Sequence, residues 1–215
     1  VQQAKVRTGL IKTIEMQSRA TRIYDMVCED QVVCGIGAFR IALDYAFNDV
    51  FEQDIYIRPI PNPLAVVWDR MSVDPTGRDA QHCWVVDDIP RDDYVRDYPD
   101  KPIPDSFGSM GVYNNYIDQN GWYDRDTVKV VEHWRMVYRP ATFAMMQDGQ
   151  VEDVTGIPLE QYAHRVALDN NGEPYVREGV RPYAQRHLIT SFAILEGPYE
   201  LPLTRLPIIK VSGRV

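Results

Sequence analysis

The fold is decided at residues 35–45, which read GIGAFRIALDY. Up to Cys34 the apolar residues recur every three or four positions, which is typical of a helix. Gly35 is suited to end that helix, because glycine readily adopts the left-handed conformation that follows a last helical turn. From Ala38 onward the apolar residues alternate, which predicts a half-buried strand with one face formed by Phe39, Ile41, Leu43 and Tyr45. We therefore expect a change from helix to strand at this point.

Upstream of this stretch, the sequence predicts helix over residues 4–34, either as one helix or as two in series. Ser18 and Thr21 are the kind of residue that caps a second helix, so a break is expected near 18–21. The apolar stripe of these helices is expected to consist of Val6, Leu10, Ile14, Ala20, Ile23, Tyr24, Val27 and Cys28.

Downstream, short alternating segments dominate. They predict strands at 54–59, 64–68, 81–87, 127–138, 143–146, 186–196 and 208–211, with small helices at 90–98 and 159–166. In the strand at 127–138, one face is expected to hold Val128, Val130, Trp134 and Met136. The fold class expected is α+β, with N-terminal helices followed by a mainly antiparallel set of short strands and small connecting helices.

Composition places the chain among globular proteins and restricts the classes of molecule that it is expected to bind. Its 215 residues carry a formal net charge of −8, and 45% of them are hydrophobic. Non-specific binding of nucleic acid depends on lysine and arginine side chains that contact phosphates, so the negative net charge disfavours it. Three cysteines, Cys28, Cys34 and Cys83, are too few for a disulfide framework and indicate a reducing compartment. No apolar run approaches the ~18 residues of a membrane helix, and the absence of an initial methionine suggests a piece cut from a longer chain.

Residues 99–126 differ in character from the rest. Prolines, glycines and asparagines concentrate there, which predicts a long surface loop or arm. We expect this arm to reach a neighbouring subunit or a surrounding shell, because long irregular segments in compact domains are commonly functional or bound to a partner.

A dense acidic stretch spans residues 69–97, and it is the best candidate for metal chemistry. Oxygen ligands suit Ca²⁺ or Mg²⁺, but the regular spacing of a calcium loop is missing, so a solvated face is the favoured interpretation. A metal-dependent hydrolase that uses this stretch stays open as an alternative. The stretch contains Asp69, Asp74, Asp79, Asp87, Asp88, Asp92, Asp93 and Asp97.

Other motifs point away from catalysis. The order helix, Gly35-Ile36-Gly37, strand is the reverse of a dinucleotide fingerprint, and no phosphate-binding loop is present. His82 and Cys83 would face opposite sides of a strand, while Cys28 and Cys34 are expected in the core, so a zinc site is disfavoured. His133 is expected to face solvent beside Lys129 and Arg135. No catalytic, cofactor-binding or metal-binding residue is assigned, no cofactor is expected, and contacts between subunits cannot be read from the sequence.

Tryptophan is the residue type that leaves nucleic-acid binding open as a second alternative. Aromatic side chains can stack on bases, although in strands they more commonly anchor a core or an interface. The four are Trp68, Trp84, Trp122 and Trp134.

Several motifs occur together in an order that resembles one family, the portal proteins of short-tailed, enteric podovirus-type phages. The helix-ending turn Gly35-Ile36-Gly37-Ala38-Phe39-Arg40 leads to Asp44-Tyr45, and Ile57-Arg58-Pro59-Ile60-Pro61 precedes Val66-Val67-Trp68-Asp69. The resemblance continues through Asp79-Ala80-Gln81-His82-Cys83, the acidic segment 92–99, the strand 127–134, the basic segment 186–196 and the end at 206–213. It covers about 25–213.

The resemblance implies a structural subunit without enzymatic activity. Portal proteins form a closed ring, expected to be a dodecamer, through which DNA enters and leaves at one capsid vertex. The implied partners are the major capsid and scaffolding proteins, the terminase motor, the tail adaptors, and double-stranded DNA that passes without sequence-specific binding. Assembly is expected in the host cytoplasm, and the mature location is the portal vertex of the virion.

Residues 1–215 would form one fragment of the wing, the outer collar of the ring. Its parts are expected to be helices at 1–34, strands with a short acidic helix at 35–98, the arm at 99–126, and strands with a short helix at 127–215.

Overall fold

The computed structural model describes residues 2–47, 49–102, 126–169, 171–191 and 193–213. Most of the arm predicted at 99–126, namely residues 103–125, therefore lies outside the described residues, as does Trp122. Within the described part of the chain, helices at the N-terminus precede two antiparallel sheets, which confirms the α+β fold. In the same ranges, no helix is both long and apolar enough to span a bilayer.

Two helices in series open the chain, as one of the two sequence predictions proposed. Helix α1 spans Gln2–Gln17 and helix α2 spans Ala20–Cys34. They are separated at Ser18–Arg19, where Arg19 has a left-handed backbone with φ of 51°. Gly35 ends α2 with φ of 78°, in the left-handed region predicted for it.

The first sheet has three strands in the order β2-β1-β9. Strand β1 is Ile36–Tyr45, β2 is Gln53–Pro59 and β9 is Ile208–Ser212. All neighbours are antiparallel, and the two partners of β1 are thus drawn from the start and the end of the chain. Helix α2 covers one side of this sheet.

The second sheet contains the remaining strands. Its main order is β3-β4-β5-β7-β8, and β6 pairs with the far end of β5. The strands are β3 (Val66–Trp68), β4 (His82–Pro90), β5 (Thr127–Met145), β6 (Val151–Asp153), β7 (Val176–Ile189) and β8 (Ile194–Leu201). A short 3₁₀ helix, Pro63–Ala65, precedes β3, while helix α3 (Arg91–Asp97) follows β4 and helix α4 (Leu159–Tyr162) follows β6.

The strands of this sheet differ from the sequence prediction in length. Strand β5 has 19 residues and β7 has 14, so these are not short strands. The separate segments predicted at 127–138 and 143–146 are one continuous strand. The segment predicted as a strand at 186–196 is instead the end of β7, a turn closed by Thr190 and Ala193, and the start of β8.

The main core lies between the two sheets. Ala38 and Ile208 of the first sheet pack against Cys83, Val85 and Trp134 of the second. A second core forms where α3 meets β5: Tyr94 is fully buried there beside Val128 and Val130. The face predicted for the strand at 127–138 is thus confirmed for Val128, Val130 and Trp134.

The apolar stripes predicted in the N-terminal half are buried only in part. Ala20, Ile23 and Val27 of α2 are buried, but Val6 and Leu10 of α1 are 60% and 58% exposed. On β1, the face predicted to be half-buried is largely open beyond Phe39: Ile41, Leu43 and Tyr45 are 42–54% exposed. Cys28 and Cys34, predicted to lie in the core, are also exposed. The exposure on β1 arises because α2 contacts this strand at its Gly37 and Phe39 end.

Candidate functional site

A network of charged side chains crosses the space between the two sheets. Glu132 of β5 is 8% exposed and accepts two hydrogen bonds, from Arg40 Nη1 on β1 and from Arg186 Nε on β7, each 2.7 Å long. Arg186 Nη1 also lies 3.4 Å from Glu196 Oε2 on β8. One carboxylate therefore joins the first sheet to two strands of the second, and its charge is compensated on both sides.

This network lines a cleft of about 620 Å³ between the sheets. Arginine and glutamate alternate along it, so the charges of the lining are already paired. A cleft that holds an ordered set of ion pairs is suited to fixing the relative position of two sheets.

The network continues to the segment that follows α3. The hydroxyl of Tyr98 donates to Glu196 Oε1 at 3.0 Å, and burial together with this hydrogen bond raises the pKa of Tyr98 to about 12. Tyr94 donates to the carbonyl of Pro102, and Lys101 Nζ donates to the carbonyl of Ile194 at 2.9 Å. The start of the predicted arm is thus fastened to β8.

On its outer face the second sheet presents a row of stacked rings. His82 and Trp84 of β4 lie beside His133 of β5, which lies beside His187 of β7; ring centroids are 5.1 Å apart for Trp84 and His133, and 6.1 Å for His133 and His187. The rings are nearly parallel, so their nitrogens do not converge on one point. His133 lies on the outer face on the same side as Arg135, as predicted, but its neighbours on β4 and β7 half-bury it.

Burial also changes the charge of this row. It lowers the pKa of His133, with further lowering by His82, His187 and Arg135, and it lowers the pKa of His187 beside Arg135. His133 and His187 are consequently neutral for the most part at pH 7. The sequence prediction missed this row because three separate strands supply its members, and only the register of β4, β5 and β7 brings them together.

His82 and Cys83 face opposite sides of β4, as predicted. Cys83 is fully buried in the core between the sheets, and burial raises the pKa of its thiol to about 12. His82 lies in the outer row.

Two residues of the acidic stretch, Asp69 and Asp79, hold the loop between β3 and β4 in shape. Asp79 accepts hydrogen bonds from Ser72 Oγ and from the amides of Val73 and Asp74. Asp69 accepts from the amides of Met71 and Gln81, at 2.9 Å in both cases. These hydrogen bonds lower the pKa of Asp69, and they lower the pKa of Asp79 to about 2.

The other acidic side chains of the stretch lie on the surface. Asp88 pairs with Lys129, and Arg96 pairs with Asp93 and Asp97 of its own helix. In the described ranges, no cluster of three or more histidine, cysteine or carboxylate side chains has a geometry that could hold a metal ion.

The tryptophans within the described ranges have different surroundings. Trp134 is buried between the sheets, Trp84 belongs to the outer row, and Trp68 lies under Lys210 Nζ, which is 5.8 Å from its ring.

The geometry is that of a framework: two sheets joined by partly buried ion pairs, and an acidic loop bound to its own backbone. Comparison with known families gives a match to the model described as "Phage P22-like portal protein", over residues 1–215. The match covers the whole chain and agrees with the ordered motifs found in the sequence. The chain therefore belongs to the phage P22-like portal protein family.

Proposed function

We propose that this chain forms part of the wing, the outer collar of a dodecameric portal ring, and acts there without catalysis. Family membership makes it a structural portal subunit of a bacteriophage, a component of the ring through which DNA is packaged and ejected. The single observation that carries the proposal is the family match over residues 1–215.

The described side chains support a structural role. Glu132 is engaged by two arginines, and the carboxylates of Asp69 and Asp79 bind the amides of their own loop. Charged groups that are already satisfied by neighbours are poorly placed to activate a substrate. We therefore propose that the chain is not an enzyme, and no observation favours the hydrolase alternative.

The charge of the chain supports a passive conduit. A net charge of −8 gives weak attraction for phosphates, so that DNA can slide past the wall of a ring without being held. In this proposal the ring contacts capsid and scaffolding proteins at its rim, and the terminase motor and then the tail adaptors along its axis, after assembly in the host cytoplasm.

The proposal is tested by imaging the purified portal protein by electron microscopy and measuring its mass by native mass spectrometry. We expect closed rings with twelvefold symmetry, with residues 1–215 at the outer rim. A protein that stays monomeric at high concentration, or rings with these residues around the central channel, would refute the wing assignment.

A further inference from the structure

Two exposed surfaces of this chain are apolar, unpartnered and opposite in charge. The first is helix α1, which we call the basic helix. The second is the distal lobe, residues 143–180, formed by the far ends of β5 and β7 with β6 and α4. Neither packs substantially on the other: α1 contacts β2 and α2, while β6 contacts β5.

The basic helix is only weakly amphipathic, and its N-terminal half contacts no other described element closely enough to be buried. Val6, Leu10 and Ile11 are 57–60% exposed, although Val6 and Leu10 lie one turn apart on the same face. Lys5, Arg7 and Lys12 are exposed as well, and none of them forms an ion pair with another described residue. With 16 residues the helix is about 24 Å long. Residues 2–17 carry three basic side chains and one glutamate, a net charge of +2 in a chain of net charge −8.

The distal lobe has the complementary properties. One side of its sheet forms a small core with Ala144 and Val166, but the other side is open. On the open side lies a cavity of about 490 Å³ lined by Phe143, Met145, Val151, Tyr175, Arg177 and Val180. Val151, Tyr175 and Val180 are each more than half exposed.

The charge of the lobe is strongly negative. Residues 143–180 contain seven carboxylates and two arginines, a net charge of −5. Glu152 and Asp153 are paired with arginines, whereas the exposed residues Glu160, Glu173 and Glu178 form no ion pair with a described residue. Among the described residues, three cations of the basic helix and five carboxylates of the lobe thus form no ion pair.

We propose that the basic helix of one copy docks on the distal lobe of the next copy, with Val6 and Leu10 over the apolar cavity. This inference rests on the proposed ring, because a closed ring needs two different surfaces that fit each other and sit at separate places on the subunit. A helix laid in an apolar groove is a common recognition mode.

Cross-linking tests the contact directly. Leu10→Cys in one chain and Val151→Cys in another are co-assembled, both with Cys28→Ser and Cys34→Ser, since those two cysteines are exposed. Cys83 is kept, because it is buried with a pKa of about 12 and does not react. We expect an oxidised dimer from Leu10→Cys with Val151→Cys. Leu10→Cys with Val67→Cys, at an exposed position of β3 away from the lobe, is the matched control and should give none.

Charge exchange tests the pairing. Lys5→Glu, Arg7→Glu and Lys12→Glu together should lower the rate of cross-linking about tenfold, equivalent to about 1.4 kcal/mol. Glu160→Lys, Glu173→Lys and Glu178→Lys in the partner should restore it. Melting temperatures of the separate variants, within a few degrees of the parent, establish that each is folded.

The outcomes separate this contact from the ring itself. Rings that form without the cross-link, and that tolerate charge reversal, would overturn the contact while the ring function stands. A cross-link in protein that never forms rings would support the contact and refute the ring. If the reversed helix loses binding to duplex DNA while the cross-link is unchanged, the basic helix serves DNA and the proposal is wrong.

Discussion

At the scale of single residues, Glu132 is the side chain on which the two sheets depend most. It is the one carboxylate that accepts from both Arg40 and Arg186. We expect Glu132→Gln to lower the free energy of unfolding by about 2–4 kcal/mol, because the partly buried guanidinium of Arg40 then loses its carboxylate and Arg186 keeps only its longer contact with Glu196. Urea denaturation measures this loss.

The matched control for Glu132 is an exposed pair in the first sheet. Asp44 and Arg58 form an ion pair across β1 and β2 with half of each side chain exposed. Asp44→Asn should therefore change stability by no more than about 1 kcal/mol. If Glu132→Gln and Asp44→Asn lower the free energy of unfolding equally, the ion pairs of Glu132 do not stabilise the contact between the sheets.

Asp79 makes the stability of the loop between β3 and β4 depend on acid. Its pKa lies at about 2 in the folded chain, below the ordinary value of 3.8, because Ser72 and the amides of Val73 and Asp74 donate to the carboxylate. A lowered pKa stabilises the folded state above pH 3.8, and this stabilisation disappears as the pH falls from about 4 to about 2. We expect Asp79→Asn to make the free energy of unfolding depend less on pH in this window. Urea unfolding at each pH measures this free energy. Asp153, with a pKa also of about 2, and Asp69, whose pKa is lowered as well, contribute to the slope that remains.

At the scale of elements, Gly37 decides how closely α2 approaches the first sheet. A Cβ at this position would lie 2.4 Å from the carbonyl oxygen of Val27, which is closer than atoms can pack. Gly37→Ala should destabilise the chain by about 1–3 kcal/mol, because helix and strand must move apart. Denaturant unfolding checks this.

Gly9 in α1 supplies the control for that substitution. A Cβ there meets no atom within 4 Å. Gly9→Ala should stabilise the chain by about 0.5–1 kcal/mol, because alanine has the higher helix propensity. If both alanine variants shift the free energy of unfolding in the same direction, the close approach of α2 at Gly37 does not determine the effect of Gly37→Ala.

The helices and β1 could be predicted because their signals are local. The glycine at 35 indicates where α2 ends, and alternation after Ala38 indicates a strand. The break near Ser18 lies at the expected place, but the expected capping is wrong, because Arg19 precedes α2 without a side-chain cap and Ser18 Oγ accepts from the amide of Ile57. The length of β5 could not be predicted, since Pro140 lies inside it and proline usually ends a strand. Pro140 is tolerated because it lies between the part of β5 that pairs with β4, residues 127–135, and the part that pairs with β6, residues 143–145. At Pro140, β5 pairs with β7 on one side and has no described strand on the other.

The sites depend on contacts that local patterns do not contain. The row of His82, Trp84, His133 and His187 exists only through the register of three strands. The open faces of α1 and β1 were expected to be buried, because apolar spacing predicts which residues share a face but not what covers that face.

At the scale of the whole molecule, the net charge predicts poor affinity for DNA. We expect the chain to bind a duplex oligonucleotide with a Kd weaker than about 10⁻⁴ M at physiological salt, the weak end of non-specific binding. Fluorescence anisotropy with a labelled duplex measures this. Tight binding that weakens steeply with added salt would instead support the nucleic-acid-binding alternative.

Strands β5 and β7 pair over fourteen consecutive positions, residues 131–144 against 176–189. At about 3.4 Å per residue, this ribbon is roughly 45 Å long. A force along the strands loads all the hydrogen bonds between β5 and β7 at the same time, in shear. A force perpendicular to the strands breaks these hydrogen bonds one after another. The subunit therefore resists force along β5 and β7 better than force perpendicular to them. A ring under the pressure of packaged DNA is most resistant to deformation when this ribbon is parallel to the force.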